Sequence, residues 1–242
     1  MLYKTRGIVF KSTKYSETSV ISQIYTENFG WVAYIVNGVR SSKPKTTAGL
    51  LQPLSLLDLV VYHRENKNIQ RISQIRYAHI YHSLPFDIFK RSISLFLIEI
   101  LYKSIRQEQA NTDLFEYIFN ALQWLDKKEG TVANFHLLFM VHLTKYIGFF
   151  PYGKYKEHLT IFDLQEGIFA ANKPIHEYFI EYPLSKHLSD LLEISFEDVA
   201  QLKLNRALRN ALLEKLLLYY KLHIENLKDM KSPQILKAVM NN

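Results

Sequence analysis

Cations and hydroxyl groups are concentrated in one short segment of the sequence, residues 38–47, which contains Arg40, Lys43 and Lys45. Lysine and arginine side chains neutralise phosphates, and hydroxyl groups hydrogen-bond to phosphate oxygens. Lys11 and Lys14 lie in another turn between predicted strands and would support the same contacts. The pattern therefore indicates a nucleic-acid-binding loop, with an ordinary solvent-exposed loop as the alternative.

Residue spacings typical of an enzyme active site do not accompany this segment. The sequence contains neither a G-x-x-x-x-G-K-[ST] phosphate loop nor a G-x-S-x-G nucleophile elbow. His136 and His142 do not share a helix face as the histidines of an H-E-x-x-H zinc site do. The chain has no cysteine, which excludes thiolate metal sites and suits a reducing cytoplasm. We therefore expect no catalytic activity, no metal and no cofactor.

The positive charge of the chain is confined to its first third. Residues 1–80 contain eleven lysines and arginines against four acids, which equals the whole formal net charge of +7. A concentrated positive field favours a polyanionic partner over a basic surface kept for solubility. No stretch is apolar enough to span a bilayer, so we expect a soluble, cytoplasmic protein associated with nucleic acid rather than with membrane.

Residues 1–82 have the composition of a small β-domain. Isoleucine, valine, tyrosine and threonine are enriched in five segments that are separated by turn-forming residues. The segments are 2–11, 18–25, 31–36, 54–62 and 69–81. Five short strands in so short a stretch predict a closed barrel or a sandwich, because closure removes exposed strand edges.

Helical periodicity replaces this pattern after Pro85. Apolar residues recur every three or four positions over 86–106, over 132–147, after a predicted cap at Thr112, and in a long run after a predicted cap at Ser195. A last short helix is predicted at 233–240. Residues 148–185 are predicted to be an irregular, cysteine-free insertion containing a short hairpin. The sequence thus predicts an α+β protein with two domains, 1–82 and 83–242, the second being helical.

A series of short N-terminal motifs resembles the start of bacterial RecO recombination mediators. The order and spacing of the motifs carry the resemblance. They lie at residues 7–11, 14–17, 25–27, 30, 38–41 and 52–54. Two later stretches, 146–151 and 162–169, look like the family's glycine-aromatic-proline segment and its short hairpin.

The resemblance implies an N-terminal OB-fold barrel followed by a C-terminal helical domain. It also implies ATP-independent binding and annealing of DNA strands, cooperation with RecR and RecF, and loading of RecA onto strands coated by single-stranded-DNA-binding protein. Many members carry four zinc-binding cysteines around the two later stretches, and this sequence has none. We expect apolar packing in their place, from Phe149, Phe150, Tyr152, Ile161, Phe162 and Phe169.

The resemblance further implies that the helical domain docks the acidic, apolar-ended tail of single-stranded-DNA-binding protein. Such a tail needs an apolar cleft with a rim of cations. Lys203, Arg206 and Arg209 lie one turn apart on the predicted long helix and form the predicted rim. An alternative rim is Lys145, Lys154 and Lys156.

Two other functions fit the same residues. An RNA-binding OB-fold protein would share the basic barrel, and a competition between DNA and RNA of equal sequence separates the two. A helical protein-interaction adaptor would use its basic face to meet an acidic partner. Neutralising the loop cations is expected to abolish nucleic-acid binding if the protein binds DNA or RNA. The same change is expected to spare partner binding if the protein is an interaction adaptor.

Overall fold

The computed structural model describes residues 1–39, 48–105, 109–225, 227 and 229–240. The chain forms two compact units, one made of residues 1–85 and 105–126 and the other of residues 86–104 and 127–242. The first unit therefore takes chain from both sides of the boundary at 82/83 that the sequence suggests. That boundary stays a prediction.

The first unit is built on a closed five-stranded barrel, which confirms the predicted OB-type barrel. Around the barrel the strand order is β1-β2-β3-β5-β4, and β1 closes the barrel by pairing with β4. All pairs are antiparallel except β3 with β5, which is parallel. The strands are β1 Leu2–Lys14, β2 Val20–Thr26, β3 Gly30–Val36, β4 Leu56–Tyr62 and β5 Ile69–His79.

The barrel interior is filled by alternate residues of each strand, as a period of two requires. Ile24, Tyr34 and Val61 are fully buried and pack in one cluster. Gly7 lies where this interior is tightest, because a Cβ there would stand 2.7 Å from a methyl of Ile24 and 2.8 Å from one of Leu59. Glycine therefore allows β1 to approach its neighbours.

Helices make up most of the remaining described chain, as predicted. Those described are α1 Ile88–Ser104, α2 Thr112–Lys127, α3 Phe135–Ile147, α4 Leu184–Glu193, α5 Arg206–His223 and α6 Ser232–Met240. None of the described helices is both long and apolar enough to cross a membrane.

Helix α2 belongs to the barrel unit. The Phe115 ring lies 6.4 Å from that of Tyr25, and the Arg6 guanidinium lies over the Phe115 and Phe119 rings. The prediction of Thr112 as its cap is wrong by one residue. The Leu114 N–H donates to Asn111 Oδ1 at 2.9 Å, so Asn111 satisfies the free N-terminal donors.

Asp126, near the end of α2, fixes the segment that leaves the barrel. Its buried carboxylate accepts hydrogen bonds from the N–H groups of His82, Ser83 and Leu84 at 2.8–3.1 Å. His79 Nε2 lies 3.0 Å from the second oxygen. One carboxylate therefore satisfies three consecutive backbone donors, of which that of Leu84 belongs to a buried residue.

The second unit is centred on α3, a nearly all-apolar helix. Every residue from Leu137 to Val141 is fully buried, and α1, α4 and α5 pack around it. Helix α6 packs on α1, where the Glu99 carboxylate accepts from the Lys231 and Ser232 N–H groups at the start of α6. Helices that are apolar all round belong in the centre of a core, which explains the position of α3.

The long helix predicted from Ser195 begins later than predicted. A 3-10 turn at Val199–Gln201 comes first, and α5 begins at Arg206 with Asn205 as its cap, accepting from the Leu208 N–H at 2.9 Å. Lys203 therefore precedes the helix and does not lie on it. Asparagine is among the best caps, whereas the Ser195 hydroxyl donates to Asp198 and so caps no helix here.

The insertion at 148–185 contains more structure than predicted. The predicted hairpin is present, as β6 Ile161–Asp163 paired with β7 Ile168–Ala170. A third strand, β8 Phe179–Ile180, pairs with the other edge of β6. Helix α4, which begins at Leu184, was also not predicted.

Candidate nucleic-acid interface

A groove at the end of β1 brings together the described members of the predicted DNA-binding site. Lys11 and Lys14 line a cavity of about 350 Å³ and both are exposed. Val39 and Ala48 line the same cavity and are the described residues on either side of residues 40–47. The described residues that flank 40–47 therefore lie at the same groove as Lys11 and Lys14.

The walls of this groove are fixed by side-chain hydrogen bonds. The Ser12 hydroxyl lies 2.8 Å from the Leu51 carbonyl and 3.0 Å from the Ser22 hydroxyl, which joins β1 to β2 and to the 3-10 turn Ala48–Leu51. Val39 and Leu51 are buried and pack in one cluster. The groove is thus preorganised, and its cations need no backbone rearrangement before they meet an anion.

The turn after β1 carries an exposed aromatic residue, Tyr15, which follows Lys14 in the chain. The Tyr15 N–H donates to the Ser19 carbonyl at 3.0 Å, and the Ser19 N–H donates to the Ser16 hydroxyl at 3.2 Å. The side chain of Tyr15 is 62% exposed. An exposed ring next to Lys14 can stack on an unpaired base while the lysine neutralises a phosphate.

Ion pairs remove part of the charge from the rest of the barrel. Arg6 binds Glu27 through two nitrogens and also contacts Glu116, and Arg76 binds Asp58. The Arg6 hydrogen bond lowers the pKa of Glu27. Two of the four acids among residues 1–80 are therefore neutralised locally, and the remaining cations outnumber the remaining acids.

Another cavity, of about 560 Å³, lies on the surface that carries these ion pairs. Arg6, Glu27, Asp58 and Arg76 line it. Its positive and negative charges largely cancel, so it offers little net attraction to a phosphate backbone. Of these two surfaces of the barrel, the groove at Lys11 and Lys14 has the larger excess of positive charge and is the stronger candidate for a nucleic-acid interface.

The predicted site residues are only partly described. Arg40, Lys43 and Lys45 lie outside the described residues, so their assignment stays a prediction. The structure shows which aromatic residues of the barrel are buried and which are exposed, a distinction that the sequence alone did not provide. Phe10, Tyr25 and Tyr34 are buried, whereas Tyr3, Tyr15, Tyr62 and Tyr77 are 38–62% exposed.

The proposed rim for a partner tail is divided between two environments. Lys203 and Arg206 are exposed, but Arg209 is half-buried and donates to Asn134 Oδ1 and to the Leu204 carbonyl, both at 3.0 Å. Burial lowers the pKa of Arg209. Arg209 thus ties α5 to the residue before α3, and the tail site stays a prediction.

His136, a histidine of the second unit, packs among core residues. His136 is almost completely buried, with its ring edge-on to Phe96, and burial lowers its pKa to about 3. Such a histidine is neutral at pH 7 and is not accessible to substrate. Among the described residues, no group of three or more histidines, aspartates and glutamates is placed to hold a metal ion.

Comparisons with known proteins identify the family. The model of the recombination protein O N-terminal region matches residues 1–81, and that of the recombination protein O C-terminal region matches residues 85–233. The chain belongs to the recombination protein O family. It is 34% identical over 242 residues to the DNA repair protein RecO of Bacteroides fragilis, with all of both chains covered.

Two further relatives carry the same name. The DNA repair protein RecO of Phocaeicola vulgatus is 31% identical over 241 residues, with both chains fully covered. That of Christiangramia forsetii is 35% identical over 240 residues, or 99% of each chain. These names describe repair proteins and indicate no catalytic activity. The predicted resemblance to the RecO family is therefore confirmed along the whole chain.

The zinc site implied by the resemblance does not fit this chain, because the thiolate donors are absent. Part of the expected apolar packing is present instead. Phe162 and Phe169 are buried, and the Phe149 ring contacts Tyr219, Tyr220 and His223. The expectation was wrong for two residues, because Phe150 and Tyr152 are 41% and 79% exposed.

We expect purified protein to contain no stoichiometric zinc. The insertion is held by hydrogen bonds from Tyr219 Oη to the Phe149 carbonyl at 2.7 Å and between His223 Nε2 and the Leu164 carbonyl at 2.9 Å. Elemental analysis after mild chelation measures the metal, and the melting temperature should not change on chelation. Zinc that survives chelation at one atom per chain would contradict this prediction.

Proposed function

We propose that the protein is a DNA-binding recombination mediator. It binds single- and double-stranded DNA through the basic barrel, promotes annealing of complementary strands, and helps load RecA onto strands coated by single-stranded-DNA-binding protein. The observation that carries the proposal is the groove that Lys11 and Lys14 share with Val39 and Ala48, the described residues on either side of 40–47. Family membership supports it.

The mechanism needs no covalent chemistry. Two DNA strands repel each other through their phosphates, and lysine and arginine side chains lower that repulsion when they displace condensed counterions. Bases that are stacked on exposed tyrosines or left free remain available for pairing. Annealing is then accelerated without hydrolysis of a nucleotide, which agrees with the absence of a phosphate loop from the sequence.

The proposed partners are RecR, single-stranded-DNA-binding protein through its acidic tail, and RecF as a further candidate. Under this proposal the protein acts in the cytoplasm, on nucleoid DNA. The tail would bind the helical domain predicted at 83–242, in which lysines and arginines equal the acids in number, so that it has no net charge to compete for phosphates. Lys203 and Arg206 are exposed and remain the first choice for the cationic rim, and Lys145, Lys154 and Lys156 remain the alternative.

The test is a titration of a labelled single strand at several salt concentrations, followed by a strand-annealing assay. If about four to six cations contact phosphates, the log–log slope should be about −3 to −4. Affinity should then fall about a hundredfold for a fourfold rise in salt. A slope near zero would contradict the proposal.

RNA of equal sequence serves as the competitor in the same titration. The barrel cations contact phosphates, which both polymers carry, so the competition isolates preferences that come from the sugar and the bases. A strong preference for RNA would favour an RNA-binding OB-fold protein. Binding of neither polymer by the folded protein would favour the protein-interaction adaptor.

A further inference from the structure

The turn formed by residues 52–55 contains a strained backbone position. The Ser55 N–H donates to the Gln52 carbonyl at 3.1 Å, with Pro53 and Leu54 between them. Leu54 has a φ of 66°, and among the described residues no other residue except glycine has a positive φ. Proline at the second position and a positive φ at the third are features of a type II turn, whose third position favours glycine. A leucine is strained there, so the surrounding structure must hold it.

Hydrogen bonds to β1 and to Tyr81 hold this turn. The Leu54 N–H donates to the Val9 carbonyl at 2.7 Å, and the Val9 N–H donates to the Ser55 carbonyl at 3.1 Å. The Tyr81 hydroxyl donates to the Leu54 carbonyl at 2.7 Å. Burial raises the pKa of Tyr81, so its hydroxyl stays protonated and remains a donor. The Leu54 side chain is 2% exposed, and burial of this apolar group helps to offset the strain.

A bulge in β1 directly follows the residue to which the turn is bonded. The register of β1 with β2 shifts between Val9 and Lys11, so Phe10 is the extra residue of the bulge. A bulge bends its strand and re-aims the side chains beside it. Val9 therefore holds the turn, and two residues later the same strand carries Lys11 into the groove described above.

The turn supplies a second wall of that groove. Gln52 and Pro53 are exposed and line the same cavity as Lys11 and Lys14. These two residues, the neutral wall, carry no charge that could neutralise a phosphate. A carboxamide has both donors and an acceptor, which suit the polar edge of an unpaired base, and the proline ring offers an apolar surface. The groove thus combines a wall suited to phosphates with a wall suited to the uncharged parts of a nucleotide.

We propose that the neutral wall contacts the sugar and base of an unpaired nucleotide whose phosphate lies at the two lysines. Tyr81 is the positioning residue that keeps this wall in place, and it acts through Leu54. Bases in a duplex already use their pairing edges, so the neutral wall favours a single strand over a duplex. This inference rests on the proposed function and extends it to the choice between single and double strands.

The first test uses Gln52→Ala in the full chain and measures affinity for a labelled single strand and for its duplex at several salt concentrations. Affinity for the single strand should fall about threefold to tenfold, as for the loss of a neutral hydrogen bond. The log–log salt slope should not change, because no cation is lost. Affinity for the duplex should change less. Gln74→Ala is the matched control, since Gln74 is an exposed glutamine at the other cavity of the barrel.

The second test uses Tyr81→Phe, which removes one hydroxyl and keeps the ring. This change should also lower single-strand affinity without changing the salt slope. Combined with Gln52→Ala it should add little, because both changes remove the same contact. Tyr220→Phe is the matched control, since the Tyr220 hydroxyl donates to the Met140 carbonyl at the same distance of 2.7 Å in the second unit. It should leave DNA affinity unchanged, and circular dichroism verifies that each variant is folded.

The possible failures are distinguishable. If the wild type binds DNA and Gln52→Ala binds the single strand equally well, this inference is overturned while the proposed function stands. Equal losses for single strand and duplex would overturn the role of the neutral wall in choosing between them. Fully additive losses in the Gln52→Ala/Tyr81→Phe variant would overturn the positioning role of Tyr81. If the wild type itself does not bind DNA, the proposed function fails first.

Discussion

Replacing Asp126 with alanine is expected to lower the free energy of unfolding of the first unit by about 2–4 kcal/mol, because the change leaves one buried and two part-buried backbone donors without their acceptor. The donors are the N–H groups of His82, Ser83 and Leu84. Asp126 itself is 3% exposed, and the Leu84 N–H belongs to a buried residue, so at least this donor loses its partner in a region that water does not reach. Asp126→Asn should have a smaller effect, because it keeps one acceptor oxygen.

Tryptophan fluorescence during urea unfolding measures this loss selectively. Both tryptophans of the chain, Trp31 and Trp124, belong to the first unit. Asp113→Ala is the matched control, since Asp113 is an exposed aspartate on the same helix and its removal should cost less than about 1 kcal/mol. A loss no larger for Asp126→Ala than for Asp113→Ala would show that the carboxylate does not hold the segment.

The same carboxylate gives the unit a defined response to acid. Burial opposes ionisation of Asp126, but hydrogen bonds from Leu84, Ser83 and His82 outweigh it and lower the pKa to about 2, from 3.8. A pKa lowered by folding contributes stability that is complete above the unfolded value and is lost as the pH falls through the folded value. The difference between the wild type and Asp126→Ala should therefore shrink between pH 4 and pH 2.

The strands and most of the helices could be predicted because their signals are local. Alternation and β-branched residues marked the five barrel strands, and apolar spacing of three and four marked α1 and α3. Helix α4 was missed because it is short and follows an irregular segment. The cap of α2 was misplaced because Thr112 and the adjacent Asn111 are both good capping residues, and only the geometry distinguishes them.

The candidate site was less predictable because it depends on long-range pairing. Arg6 and Glu116 are 110 positions apart in sequence, and no local pattern shows that Arg6 is neutralised. Arg209 looked like a rim residue, but its guanidinium is used by Asn134. The density of cations at 38–47 directed the prediction to that loop and to the neighbouring Lys11 and Lys14.

Replacing Arg40, Lys43 and Lys45 together with alanine is expected to lower affinity for single-stranded DNA about a hundredfold and to make the salt slope less steep by about 2. The reason is the position of the loop, whose neighbours Val39 and Ala48 share a cavity with Lys11 and Lys14. Annealing should slow in proportion. The melting temperature should not change, because exposed loop charges add little to folding.

The control for this triple variant removes the same charge elsewhere. Lys173, Lys186 and Lys237 each pair with an acid in the second unit, so Lys173→Ala/Lys186→Ala/Lys237→Ala lowers net charge equally without touching the barrel. If DNA binding depends on net charge alone, both variants lose affinity to the same extent. If it depends on a local phosphate contact, only the loop variant loses affinity and slope. Unchanged affinity in a folded loop variant would remove Arg40, Lys43 and Lys45 from the interface and leave Lys11 and Lys14 to account for binding.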